Sequence, residues 1–443
     1  MRDEAVTEGS LWGRRPPVLS PLREHLRDTF WFAPVAAMAA VFVVWVVAQE
    51  CDALIVEALK EDGAYEEIEE LARFADDAKS VVSTVSSAMM TFIGVVFSIS
   101  LVAVQMASGQ FTPRVVRLFV HSRITKATFG VFLATFVLTL LVLTSYDSTP
   151  DPAALVSVPL VQSVLTLVMV ALSLLLFVLY VNATLRLMRI SHVIARIAAE
   201  SLRAATWVPG PDSGTVPLDF GPVTARVLYE GRAGVLRDVH VARLVRVARR
   251  HGVVLRLIPR VGDFVVPGTP VLAVHGGPAP PRAALRRVLS VGVERTYHQD
   301  LGFGLRQLSD IALRALSAGI NDPTTAVQAL DRVVQLLAAL GRRPLDAALH
   351  LDRAGTVRLV QPVPTWTALV DLGFTEVRGC ATGSPQVTRR VLAGLDDLLL
   401  LVPPERREPL ARHRELLCQA VSCQAPTSAD RSFALRPDRQ GIG

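Results

Sequence analysis

The chain has 443 residues, of which 51% are hydrophobic and 19% charged, and its mean hydropathy of +0.40 is well above that of a typical soluble protein. That balance points to a membrane protein, and the length allows two or three domains. The net charge of +6 is segregated into blocks. Four cysteines (Cys51, Cys380, Cys418, Cys423) are too few and too unevenly spaced for a disulfide framework or a zinc site, so free thiols are expected.

Residues 1–28 form a polar leader carrying Arg2, Arg14, Arg15, Arg23 and Arg27. The apolar run from Phe30 to Ala48 is about one bilayer crossing long. No small-residue cleavage site follows it, so it reads as an uncleaved anchor. Residues 50–79 are acidic, with Glu50, Asp52, Glu57, Glu61, Asp62, Glu66, Glu67, Glu69, Glu70, Asp76 and Asp77 against Lys60, Arg73 and Lys79. They are expected to form an outer loop. Between Lys79 and Arg114 no residue is charged, and the run is longer than the roughly 30 Å hydrocarbon core. A third crossing runs from Ala127 to Tyr146 with Thr128, Thr135 and Thr139 along it, and a fourth from about Leu155 to Leu185.

The second crossing carries a pattern of its own. Ser80, Ser83, Ser87, Thr91, Gly94, Ser98 and Gln105 recur at steps of three, four or seven, which keeps them on one helix face. Such a stripe turns toward another helix, as a packing face, or toward water, as a pore lining. No charged residue is expected inside the crossings, which argues against a proton relay or a charge-coupled transporter.

Counting Lys and Arg in the short loops sets the orientation. The leader, the 114–126 loop and the 186–203 exit are arginine-rich, while 50–79 and 147–152 are poor in cations. Four crossings with both termini cytoplasmic satisfy every loop. Arg114, Arg117, Arg123, Lys126, Arg186 and Arg189 are then expected to meet lipid headgroups.

From Trp207 the composition shifts to a linker and then to short β-type runs at 223–229, 252–258 and 263–274, with the basic amphipathic segment 241–251 between the first two. The piece V-G-D-F-V-V-P-G-T-P-V-L resembles the half-motif of barrel-sandwich domains, with Gly262 and Gly268 at tight turns, but no Met-Lys-Met hairpin is present to carry a prosthetic group. From Ala279 helices dominate. Leu301, Leu305, Leu308, Ala312 and Ala315 form one apolar stripe, and Arg306, Asp310 and Arg314 can support each other on another face. Gly319 is placed to end that helix, Asn321 or Asp322 to cap the next, and Pro323 to begin it. A strand pair flanks Gly355, two more helices are expected near 385–401 and 404–421, and the last twenty residues read as a disordered tail.

Three pieces carry a resemblance: S-G-Q-F-T-P-R (108–114), V-G-D-F-V-V-P-G (261–268) and H-Q-D-L-G-F-G-L-R-Q-L-S-D-I-A-L-R-A-L-S-A-G-I-N-D-P-T-T-A (298–326). They look like an uncharacterised bacterial family of predicted membrane proteins (domain of unknown function 2254). The resemblance implies four membrane helices and a cytoplasmic C-terminal domain, and lends no catalytic residues. Ala318 stands where the family pattern would have Pro.

The expected architecture is therefore an α-helical polytopic membrane domain over 29–206, with helices near 30–49, 81–112, 127–146 and 155–185. An α+β cytoplasmic domain follows, with a small β-barrel-like module at 207–278, a mainly helical module at 279–423 and the tail at 424–443. His298, Asp300, Asp310 and Asp322 are the only acid–base or metal-like cluster, and helix-face and capping roles account for it better. Gly302-Phe303-Gly304 lacks the strand and third glycine of a dinucleotide fingerprint. No catalytic, cofactor or metal site is expected, and no nucleic-acid partner. Two readings of function remain: a homo-oligomeric inner-membrane channel for cations drawn by the acidic loop, or a membrane anchor whose cytoplasmic domain senses a ligand or scaffolds a partner.

Overall fold

The computed structural model describes residues 31–61, 65–110, 123–146, 158–187, 189–206, 219–286, 288–343, 345 and 347–441. The chain divides into two compact units, a helical one over 20–189 and a C-terminal one beginning at Ile190.

Four helices among the described residues are long and apolar enough to cross a membrane: α1 (Phe32–Glu61), α2 (Tyr65–Gln110), α3 (Arg123–Thr144) and α4 (Leu160–Leu187). At 1.5 Å rise per residue α1 is about 45 Å long and α2 about 69 Å, so both outrun a hydrocarbon core of roughly 30 Å. The acidic stretch expected as a loop is consequently mostly helix. It extends α1 to Glu61 and begins α2 at Tyr65, because its Ala, Leu and Glu residues are good helix formers. α2 also continues through Gly109 to Gln110, while Pro113 lies outside the described residues.

α3 is the central helix of this unit. Ala134, Leu138 and Val142 pack with Val41 of α1 and Val82 of α2. Phe129 and Phe132 meet Met89 and Val96 of α2 and Tyr180 of α4. Phe92 and Phe177 close this cluster in an edge-on pair with ring centroids 5.7 Å apart.

In the C-terminal unit the strands form open sheets, not the expected barrel. β1 (Val223–Leu228), β3 (Val254–Leu257), β5 (Pro270–His275), β7 (Ala347–Leu351) and β8 (Val357–Pro362) make a five-stranded sheet in the order β1-β5-β3-β8-β7. β2 (Gly234–Val239), β4 (Phe264–Val265) and β6 (Leu289–Gly292) make a three-stranded sheet in the order β4-β2-β6. Closure fails because β3 takes the late strand β8 as a parallel neighbour, continuing the sheet outward. The two modules expected at 207–278 and 279–423 thus share one sheet. Gly262 (φ +98°) and Gly268 (φ +87°) make the turns beside β4 in left-handed backbone, as their positions called for. α6 (Val241–Arg250) lays Val241, Leu244, Val245 and Ala248 on the core that also holds Leu255, Val274 and Leu359.

The helical layer comprises α8 (Leu301–Ala315), α9 (Pro323–Leu340), α10 (Trp366–Ala381), α11 (Pro385–Leu401) and α12 (Arg407–Gln424), after a single turn α7 (Arg282–Leu285). α5 (Ile190–Ala205) belongs with this layer rather than with the membrane half, burying Val193, Ile194, Ile197 and Ala198. Asp322 caps α9 by accepting the Thr325 amide at 3.0 Å, with Pro323 in the first turn, as expected. α8 stops earlier than expected, with Leu316 as C-cap, and the left-handed residue that follows is Asn321 (φ +47°), not Gly319. Arg406 answers the free carbonyls at the end of α9, donating to Leu340 O (3.2 Å), Gly341 O (3.0 Å) and Arg343 O (2.6 Å).

The tail is ordered where disorder was expected. α13 (Ser428–Ala434) and the turn after it are held by Arg389 of α11, whose guanidinium lies 4.4 Å from the Phe433 ring centroid and donates to Arg436 O and Asp438 Oδ2, each at 3.0 Å. A turn-rich, charged composition hid a segment that one buried arginine anchors.

Candidate functional site

α2 turns two different faces to its surroundings. Among its described residues Val82, Ser86, Met89, Val96 and Ala103 are buried, with Val82, Met89 and Val96 packed against α3 and α4. Ser80, Ser83, Ser87, Thr91, Gly94, Ser98 and Gln105 are all exposed on the surface of the four-helix unit. With 3.6 residues per turn the two sets are centred about 160° apart around the helix. Among the described residues the polar stripe therefore faces away from the packed core of the bundle. Two exposed hydroxyls bond back to their own helix, Thr84 to Ser80 O (2.8 Å) and Ser87 to Ser83 O (3.3 Å).

Hydroxyls that do tie the bundle together lie elsewhere. Tyr180 shares a 2.5 Å hydrogen bond with Ser100 and donates to Val96 O at 3.1 Å, joining α4 to α2. Thr135 and Ser173 meet at 3.0 Å between α3 and α4, and Tyr146 and Ser163 at 2.9 Å. Thr128, Thr135 and Thr139 of the third crossing are all fully buried. Sequence reasoning placed the α3 threonines on their helix but had no means of naming Ser100 or Tyr180 as their helix's inward polar groups.

A carboxylate of the acidic 50–79 stretch is also buried within this unit. Asp52, in the C-terminal half of α1, is fully buried, and its oxygens accept the amides of Val161 (2.7 Å) and Gln162 (3.3 Å). It caps α4 from a neighbouring helix, where the N-terminal dipole favours negative charge. The segment around it is acidic at its surface, with Glu50, Glu57, Glu61, Glu66, Glu70 and Asp77 exposed.

Between α2 and α4 a groove of about 300 Å³ opens, lined by Ser98, Val102, Val181 and Thr184 among others. Ser98 belongs to both the groove and the stripe. Of the residues expected at headgroups, Arg186 and Arg189 are exposed at the end of α4 and just beyond it, and Lys126 is half-buried in the first turn of α3. Arg123 opens α3, and Arg114 and Arg117 lie outside the described residues.

In the C-terminal unit the acid–base residues are placed apart in capping and pairing roles. Asp300, 3% exposed, caps α8 by accepting the Gly302 and Phe303 amides at 3.1 Å and takes a bidentate pair from Arg295 at 2.7 and 2.9 Å. Asp310 pairs with Arg306 at 2.8 Å. His298 Nδ1 lies 3.3 Å from Asp238, which Gln299 also engages. Gln299 in turn accepts from Gln361 at 3.3 Å, and Gln361 meets His350 at 3.1 Å. This buried chain runs from β2 to β8 and β7, so it staples the two sheets together. Burial pushes the Tyr297 hydroxyl well above its usual range, with Glu200 adding to the effect. The Arg358 hydrogen bond holds the Asp352 carboxyl below its usual value. Among the described residues no group of three His, Cys, Asp or Glu is placed to hold a metal ion.

Four long apolar helices followed by a domain of helices and mixed sheets define a polytopic membrane protein with a folded C-terminal domain. The chain belongs to the family described as predicted membrane protein (DUF2254), whose model matches residues 27–397. It is 28% identical over 373 residues to the uncharacterized proteins Mb1321c of Mycobacterium bovis and Rv1290c of Mycobacterium tuberculosis, spanning 81% of this chain and 71% of each relative. No solved structure matches it.

Proposed function

We propose that copies of this chain assemble in the bacterial inner membrane, with both termini cytoplasmic, around the polar face of α2 to form a channel-like path. The observation that carries the reading is the outward turn of all seven stripe residues, opposite the face that packs the bundle. Lipid offers no partner to the Gln105 amide or to hydroxyls beyond their own helix, whereas a second helix or an aqueous axis does. The arginine-rich ends support the orientation. The exposed carboxylates of the α1–α2 junction would concentrate cations at the outer mouth, which favours cations as the permeant class. The C-terminal domain then serves as an assembly or gating element, and no catalytic step or cofactor is assigned to it.

Ion flux in proteoliposomes tests the reading, with Thr91→Leu and Ser98→Leu beside the wild type. Both side chains are exposed, so neither change opens the core. Flux through wild type and its loss in both variants, at unchanged oligomer size, is the expected result. Absence of flux at every potential and salt tested would leave the membrane half as an anchor, and the C-terminal domain as the part that meets a ligand or partner.

A further inference from the structure

The basic helix α6 is used by nothing described so far. Its apolar residues Val241, Leu244, Val245 and Ala248 are buried on the sheet, and Arg246, Arg249, Arg250 and His251 are exposed, with Arg243 at the edge of the same face. Among the described residues none of these four guanidinia meets a carboxylate. Other arginines of this unit do: Arg282 with Glu230 (2.6 Å), Arg412 with Asp371 (2.6 Å), Arg414 with Asp396 (2.6 Å) and Arg439 with Asp397 (2.8 Å). Arg249 and Arg250 suit a helix C-terminus on dipole grounds alone. Arg243 and Arg246 do not: Arg243 lies in the first turn, where the dipole disfavours cations, and Arg246 in the middle, where the dipole gives it no support. Four unpaired arginines on one face of a ten-residue helix form a surface made for anions.

We infer that the arginine face of α6 docks on anionic lipid headgroups of the bilayer that the chain itself spans. Tethering by α1–α4 confines the C-terminal unit to the neighbourhood of a bilayer, so the effective concentration of lipid phosphate is high and weak individual contacts suffice. The face has no Phe, Tyr or Trp for bases to stack on, which disfavours single-stranded nucleic acid. Arginine on phosphate also gains bidentate geometry that a solvated surface would not need.

The test uses the full chain in nanodiscs, which leave both membrane faces open. An environment-sensitive fluorophore is placed at His251→Cys after Cys51, Cys380, Cys418 and Cys423 are changed to serine. Discs of phosphatidylcholine alone are compared with discs that also contain phosphatidylglycerol. We expect a blue-shifted, brighter emission only with the anionic lipid, reversed by salt as screening shortens the Debye length. Each arginine changed to glutamine is expected to lower the docked-to-undocked ratio about fivefold, and the fourfold lysine variant to keep most of the shift. Equal emission in the two kinds of disc overturns the proposal, as does a shift that survives Arg243→Gln, Arg246→Gln, Arg249→Gln and Arg250→Gln together in a protein of unchanged helix content. A shift produced only by added RNA overturns it in favour of nucleic acid.

Discussion

Among the described residues the buried charged side chains have definite partners, and the consequences are measurable one residue at a time. Asp300 serves α8 twice, as its cap and as the counter-ion of Arg295. Asp300→Ala is expected to cost about 2 kcal/mol, read as a lower denaturation midpoint, since a cap is lost and a half-buried guanidinium is left alone. His413 sits beside Phe374 with its Nε2 2.8 Å from Asp371, and burial lowers its proton affinity despite that carboxylate. Its folded pKa is therefore below the unfolded value of 6.5. The unfolded chain takes up the proton first on acidification, so stability is complete above pH 6.5 and declines as pH falls through the folded value. Thermal melts across that range should show the decline, and His413→Gln should flatten it. A slope unchanged by the substitution would place the titration elsewhere.

Single close approaches between elements decide how the helices stack. Gly304 of α8 faces Ser201 of α5, and a Cβ there would collide with the serine side chain. That contact explains the glycine better than any phosphate-binding role, because Gly304 lies inside the helix and meets another helix, not an open loop. Gly304→Val is expected to destabilise the C-terminal domain by about 2 kcal/mol through overpacking, visible as a lower Tm, and Ser201→Gly should recover part of it. At the chain's end, Arg389 holds α13 through one ring face, a carbonyl and a carboxylate. Arg389→Met should leave the core intact and make the segment from Thr427 onward a fast protease target. Cleavage no faster than in wild type would mean that the Arg439–Asp397 pair, at 2.8 Å, suffices to hold it.

At the scale of the whole molecule, apolar run length and composition made the four crossings legible, and the short β-type runs at 223–229, 252–258 and 263–274 announced β1, β3 and the pair β4 and β5. β2 (G-V-L-R-D-V) was missed because Arg237 and Asp238 interrupt its apolar pattern, and α10 because Gly373 and two threonines break its helical signal. The parallel pairing of β3 with β8 joins residues about a hundred positions apart, and no local pattern encodes such a register. The acidic segment was legible as charge but not as helix, since a charged stretch between two apolar runs does not by itself demand a loop.

By itself the sequence determined that four helices are long enough to span a bilayer and that seven small or polar residues of α2 share a face, because both follow from rise and turn of a helix. It could not determine which way that face points. A polar face on a membrane helix can turn toward a neighbouring helix of the same chain, toward another copy or toward water, so periodicity alone favours no direction. Tertiary structure decided it: Met89 and Val96 fit against Phe132 and Tyr180, Ser100 reaches the Tyr180 hydroxyl, and closing those contacts turns Thr91 and Ser98 outward.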